Sequence, residues 1–97
     1  MALQAARQDV RDILERDLLA TARMNHATAY QRLFRGETAR AVAPFEAAAR
    51  SWEAAGDYRS RAGDRTNLGF VLGLLGRYDE AEATLREQVQ EIGRAHV

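Results

Sequence analysis

The chain lacks cysteine and lysine, contains a single proline, and carries no net charge. Without cysteine it has neither a disulfide framework nor a thiolate metal site. Fourteen acidic residues balance fourteen basic ones, all of them arginine. No overall field therefore attracts nucleic acid or an anionic membrane, and we expect neither as a partner. The use of arginine in place of lysine is typical of codon bias in a GC-rich genome rather than of a function.

The chain also lacks a long apolar run. No stretch approaches the roughly 20 apolar residues that a membrane-spanning helix requires. The N-terminus does not begin with the basic and then apolar segments of a secretory signal. We therefore expect a cytoplasmic protein. Its 97 residues are enough for one domain, which would cover residues 1–97.

The residues that are present favour helix. Alanine, arginine, leucine, glutamate and glutamine dominate, and all are good helix formers. No run alternates at period two, which argues against strands. Helical spacing of apolar residues predicts helices over about 3–35, 38–55, 58–75 and 78–92. The first could be one helix or two with a break near residues 16–17. Corners between helices are predicted at the glycines that lie near changes of apolar phase, namely Gly36, Gly56, Gly76 and Gly93.

An internal repeat relates the second predicted helix to the fourth. A shift of 40 residues places small and large apolar residues on the same helical stripe. The aligned pairs are Gly36 and Gly76, Ala41 and Ala81, Phe45 and Leu85, Ala48 and Gln88, and Trp52 and Ile92. Pro44 lies inside the second helix and is expected to kink it or to delay its start.

Residues 67–85 hold the most specific motif. They contain a Leu-Gly pair at Leu68 and Gly69, a glycine corner at Gly76, and a small and a large residue at Ala81 and Leu85. This stretch resembles a tetratricopeptide repeat, a helix–turn–helix unit of about 34 residues that stacks into solenoids. The longer period is similar to the extended repeats of kinesin light chain and related bacterial proteins. The resemblance implies an all-α fold of antiparallel helical hairpins, stacked as a short solenoid with an N-terminal helical extension.

The resemblance also divides the chain. Residues 1–16 would form the N-terminal helical extension, 17–56 a degenerate first repeat, and 57–93 a well-matched second repeat. Residues 94–97 would begin a truncated further repeat. Close packing in the second repeat explains its small residues, because Gly69 and Ala81 are predicted where its two helices cross.

The third predicted helix is apolar on two sides, so we expect each side to be covered by a different neighbour, either another helix or a ligand. One side carries Asn67, Phe70, Val71 and Leu74. The resemblance implies that this side forms a groove for a peptide or partner protein, with Asn67 hydrogen-bonding the bound backbone. The residues alone also allow Phe70 and Leu74 to pack against the preceding helix instead. A weaker candidate is a basic patch of Arg59, Arg61 and Arg65 for an acidic peptide.

No residues predict chemistry. His26 and His96 have no ligand-spaced companion, and no nucleophile–base pair stands out. We therefore expect no catalytic residues, no metal and no cofactor, and hence no enzyme. The expected function is a non-catalytic protein–protein interaction module, a scaffold or adaptor. The alternative is a structural helical-bundle subunit that forms an obligate homo-oligomer.

Self-association is expected in either case. Two repeats are fewer than stacked units usually need, and a solenoid end without a polar cap exposes apolar surface. One such surface is the last helix, at Val89 and Ile92. Another is a stripe on the N-terminal helix, which consists of Leu3, Val10, Ile13, Leu14 and Leu18. A homodimer or higher oligomer would use these two surfaces.

Overall fold

Four consecutive α-helices make up residues 2–95, and each packs against the next. In the computed structural model α1 spans Ala2–Phe34, α2 Thr38–Ala54, α3 Tyr58–Leu74 and α4 Tyr78–Ala95. The structure describes residues 2–95, apart from the side chains of Ile92 and Ala95. Within that range the chain forms no strand, and the main contacts run from α1 to α2, α2 to α3 and α3 to α4. The predicted all-α arrangement of stacked helical hairpins is therefore confirmed.

Three glycine corners with one geometry reverse the chain every twenty residues. Gly36, Gly56 and Gly76 have φ angles of 76°, 79° and 78°, in the left-handed region that glycine adopts without steric cost. At the first corner the N–H of Glu37 donates to the carbonyl of Arg32 at 2.8 Å. The same backward bond closes the other two corners. Helices α1, α2 and α3 thus each end in a Schellman motif, which satisfies the last carbonyls and fixes the direction of the next helix.

Helix α1 is continuous through the position where a further corner would fall. Twenty residues before Gly36 stands Arg16, which has a side chain that disfavours the left-handed conformation. The helix keeps its right-handed path there, so the question of a break near residues 16–17 is answered in favour of one helix. Its 33 residues span about 50 Å at 1.5 Å each, close to the 55 Å longest dimension of the molecule. Residues 2–11 are exposed along their whole length.

Helix α2 begins at Thr38 and runs through Pro44 to its end, so the expected late start is wrong. Proline has no N–H to donate to the carbonyl of Arg40, four residues earlier. That carbonyl instead accepts a hydrogen bond from the guanidinium of Arg32 on α1, at 2.9 Å. The lost bond within the helix is thereby replaced by one between helices, and Pro44 itself is buried.

The hydrophobic core runs along the helix interfaces. Phe45 lies at its centre with no exposed surface, and Trp52 is buried further along α2. Helices α3 and α4 pack tightly at Gly69, where a Cβ atom would lie 2.6 Å from Cδ2 of Leu85. Ala81 is buried nearby in the same core. The expectation of small residues at this crossing is met, although the side chain that fills the space over Gly69 belongs to Leu85.

The C-terminal end of α4 differs from the prediction. The helix continues through Gly93 to Ala95, so Gly93 is not a corner, because a single glycine costs a helix only about 1 kcal/mol. His96 and Val97, in the segment proposed as a truncated repeat, lie outside the described residues. Between residues 2 and 95 no helix combines the length and the apolar character needed to cross a membrane.

Candidate partner-binding site between helices α1 and α3

A buried carboxylate connects three helices on the α1 side of α3. Asp64 of α3 is only 2% exposed. Its Oδ1 lies 2.6 Å from Nδ1 of His26 on α1, and its Oδ2 accepts a hydrogen bond of 2.8 Å from Nε1 of Trp52 on α2. Asn67 donates a third bond to Oδ1 at 3.3 Å. A carboxylate removed from water needs such partners, because its desolvation otherwise costs several kcal/mol.

The same contacts orient His26. Since the carboxylate oxygen accepts, Nδ1 is the ring nitrogen that carries the hydrogen. The ring also packs edge-on against Tyr30 and Phe45, with centroids 4.8 and 6.5 Å apart. The side chain nevertheless remains 43% exposed. His26 is therefore held firmly at the surface, with part of its ring accessible to a partner.

A cavity of about 250 Å³ opens beside this cluster. Nothing lies within 4 Å of the place where a Cβ atom on Gly63 would stand, so this glycine leaves the cavity wall open. The space is large enough for several water molecules at about 30 Å³ each, or for one small side chain. Apolar atoms make up more of the cavity lining than polar ones, and the lining residues are His26, Trp52, Ser60, Gly63, Asp64 and Asn67.

The structure divides the four predicted groove residues. Phe70 and Leu74 are 65% and 74% exposed on α3, so they do not pack against the preceding helix. Asn67 is half-buried at the edge of the cavity, one helical turn away. Val71, by contrast, is 1% exposed and belongs to the core. Three of the four residues therefore share an accessible face, and Val71 supports that face from beneath.

Two aromatic residues of α1 extend this face and were missed in the sequence. The 40-residue shift that aligns α2 with α4 also aligns Tyr30 with Phe70 and Phe34 with Leu74. Phe34 is 86% exposed, and its ring centroid lies 6.1 Å from that of half-buried Tyr30. Applying the same shift to the odd-numbered helices would have identified both residues. The candidate site, called the α1/α3 face below, comprises the cavity together with Tyr30, Phe34, Phe70 and Leu74.

The proposed basic patch is largely neutralised by glutamates. The side chain of Arg61 is only 14% exposed and donates to both carboxylate oxygens of Glu91, at 2.9 and 3.0 Å. It also pairs with Glu87 and Glu53, and Arg65 donates to Glu87 at 2.8 Å. The bond to Glu91 raises the pKa of the Arg61 guanidinium above its ordinary value. Two of the three arginines thus join α2, α3 and α4 rather than awaiting an acidic ligand.

The α1/α3 face is suited to recognition. Ser60 lines the cavity, and its hydroxyl donates a hydrogen bond of 2.8 Å to Oδ2 of Asp57. Among the described residues no three histidine, cysteine, aspartate or glutamate side chains cluster in a way that would hold a metal ion. The face offers a pocket that contains a few fixed donors and acceptors, next to accessible apolar side chains. His96 lies outside the described residues.

Comparisons of the chain with protein-family models, with curated proteins and with solved structures found no match. The function must therefore be argued from the residues of this chain and their arrangement.

Proposed function

We propose that the chain is a non-catalytic interaction module of the tetratricopeptide type, which binds a peptide or an extended segment of a partner protein across the α1/α3 face. The observation that carries this proposal is the exposure of Phe34, Phe70 and Leu74 at repeat-related positions of two neighbouring helices. Exposed apolar residues scattered singly need no explanation. A recurring set beside a cavity that holds a few fixed polar groups is typical of a binding surface. We place this activity in the bacterial cytoplasm.

The apolar side chains set the strength of such binding. Full burial of a leucine or phenylalanine contributes about 1.5–3 kcal/mol. Scaled by the 65–86% now exposed, the three residues together contribute roughly 3–7 kcal/mol before the entropy of association is subtracted. This range suits a reversible adaptor with modest affinity, whose specificity comes from the polar end of the site.

Asn67 supplies a polar contact of the right kind. Its amide nitrogen carries two hydrogens, and Asp64 accepts one of them. The second hydrogen and the Oδ1 oxygen match the C=O and N–H that one residue of an extended ligand presents on the same side of its backbone. Because Asp64 is itself held by His26 and Trp52, the orientation of this amide is set before a ligand arrives, which lowers the entropic cost of binding.

Selection from a random peptide display library tests this proposal. The wild-type chain should yield binders whose affinity falls more than tenfold on Phe70→Ala with Leu74→Ala. The double variant should keep the wild-type helicity and urea midpoint, since both side chains are exposed. Val89→Ala on α4 is the matched control, because that residue is also largely exposed. Binders indifferent to the double substitution, or a double variant that unfolds, would contradict the assignment.

A second candidate function is self-assembly as a structural subunit. The supporting observation is a separate apolar surface on the first third of α1, where Leu3, Val10, Ile13 and Leu14 are each more than half exposed. Sedimentation equilibrium from about 10 to 500 μM tests it, a range that covers weak complexes. A mass that stays at 10.8 kDa throughout would remove this candidate and leave the peptide-binding proposal untouched.

A further inference from the structure

The first third of α1 has the pattern of a coiled-coil seam. Leu3, Ala6, Val10 and Ile13 are separated by three, four and three residues, which places them on one stripe of the helix. All four are exposed, and residues 2–11 are exposed as a whole. Burial within α1 starts only near Leu18 and Leu19, and the first fully covered residue is Ala22. The stripe therefore has no partner among the described residues of its own chain.

The stripe also contains a recess. A shallow groove of about 370 Å³ is lined by Leu3, Ala6, Arg7, Val10 and Arg11. The first four occupy positions i, i+3, i+4 and i+7, the set that forms a hole for one side chain of a facing helix. Ala6 is small, so it deepens the floor. The helix thus presents large side chains and a recess on the same face, which makes it complementary to a copy of itself.

We propose that a second copy of this chain docks on this stripe, with the two α1 helices antiparallel and related by a two-fold axis near residue 8. In this register the two residue numbers of every facing pair sum to about 16, since the two-fold axis lies near residue 8. Leu3 then faces Ile13 of the second copy, and Ala6 faces its Val10. Each pair occurs twice, so all four stripe residues of both chains are covered. The contact is isologous and closes as a dimer.

The antiparallel direction follows from where the rest of the chain lies. Helix α2 covers α1 only from about Leu18 onward. In an antiparallel pair the two helical bodies lie at opposite ends, whereas a parallel pair would bring them side by side. A parallel in-register pair would also place Asp17 against Asp17 of the second copy on the continued seam, which like charge disfavours. Neither problem arises in the antiparallel register.

The ends of the contact fit the same register. Ala2 of the second copy faces Leu14, which lies at the edge of a depression between α1 and the end of α2. That depression of about 230 Å³ is lined by Arg11, Leu14, Glu15, Leu18, Ala54 and Ala55. The first residues of α1 in one copy, from Ala2 on, therefore lie close to the body of the other. With about a dozen residues on each side, the interface is about half the standard size. We expect a dimer with a dissociation constant on the order of 10–100 μM.

Sedimentation of the full chain tests the interface. Wild type should change from monomer to dimer between about 5 and 500 μM, a span that brackets the expected dissociation constant. Val10→Glu with Ile13→Glu should raise the dissociation constant more than tenfold without changing the urea melt, because both residues are exposed. Val89→Glu, an exposed position on α4, should dimerise like wild type. A dimer that persists in the Val10/Ile13 variant, or is lost in the Val89 variant, would overturn the inference.

Disulfide trapping tests the direction, since the chain has no cysteine of its own. When a Leu3→Cys chain is mixed in equal amounts with an Ile13→Cys chain under mild oxidation, the mixed disulfide should exceed the two like-with-like products combined, which random pairing would make equal to it. A predominance of the Leu3→Cys homodimer would indicate a parallel pair and overturn the proposal. The inference rests on the second candidate function, self-assembly. A wild-type chain that stays monomeric at about 500 μM would contradict both proposals. A dimer that the stripe substitutions leave unchanged would contradict only the antiparallel α1 interface.

Discussion

Removal of the Asp64 carboxylate should destabilise the whole fold, because it holds α1, α2 and α3 together. In Asp64→Ala the Nε1 hydrogen of Trp52 loses its 2.8 Å acceptor and His26 loses its 2.6 Å partner. A buried donor left unpaired costs about 1–3 kcal/mol, and a hydrogen bond to a charged group contributes about 1.5–3 kcal/mol. These overlapping costs lead us to expect a loss of about 3 kcal/mol.

A loss of that size is large for this chain. Domains of about 100 residues have total stabilities of roughly 5–15 kcal/mol. One kcal/mol shifts the melting temperature of a domain of 60–100 residues by about 4–8 °C, so Asp64→Ala should melt about 12–24 °C below wild type. Asp64→Asn should lose about half as much, because its amide oxygen still accepts one bond while its NH₂ group faces a second donor.

The assay is urea unfolding followed by circular dichroism and by fluorescence of Trp52, the only tryptophan. Because Trp52 contacts Asp64 directly, its emission should also change in the folded state. Asp79→Asn is the matched control, since that acid is exposed on α4 and should stay within about 0.5 kcal/mol of wild type. An Asp64→Ala free energy of unfolding equally close to wild type would refute the role given to the cluster.

Three further substitutions test other parts of the fold. Gly69→Ala should destabilise by about 1–3 kcal/mol in urea despite the better helix propensity of alanine, because the new Cβ would lie 2.6 Å from Leu85; an unchanged midpoint would show that Leu85 moves aside freely. Asp57 caps α3, and the backbone hydrogen bond from Ser60 is the main cause that lowers the Asp57 pKa. The stability that the ionised Asp57 cap contributes is therefore present above the ordinary aspartate pKa. It is lost as the pH falls through the lowered pKa of Asp57 in the folded chain. Asp57→Ala should lower the free energy of unfolding by about 1 kcal/mol near pH 7, and Asp57→Asn should lower it much less. If the free energy of unfolding falls with acid by the same amount in wild type and in Asp57→Asn, this assignment is contradicted. Gln88 is buried with neither amide atom hydrogen-bonded, so Gln88→Leu should raise the free energy of unfolding by about 1 kcal/mol, and a marked decrease would show that the amide is satisfied in solution.

The parts of the fold that local chemistry dictates could be predicted from the sequence. The corners at Gly36, Gly56 and Gly76 follow from one residue type and one conformation. The 40-residue period placed Ala41 and Ala81 on buried faces. The course of α1 stayed open because helix propensity alone does not decide between a straight path and a turn where glycine and proline are both missing.

The candidate site was harder to predict, because its contacts join residues distant in the sequence. Asp64 lies 38 residues from His26 and 12 from Trp52, and an aspartate in a helix is ordinarily exposed. Only the packing of three helices brings the three together. Val71 was grouped with Phe70 because a helical wheel places adjacent residues only 100° apart. A wheel defines a side of a helix, but the neighbouring helices decide where its boundary with solvent falls.

The most direct test of the central claim is an NMR titration of the labelled chain with a peptide selected on it. Binding at the α1/α3 face predicts that the largest amide shifts fall within residues 26–34 of α1 and 60–74 of α3, with a side-chain amide shift at Asn67. Residues 2–13 and the exposed side of α4 around Val89 should change little. Shifts concentrated on α4 or on the N-terminal stripe, with residues 60–74 unaffected, would contradict the account.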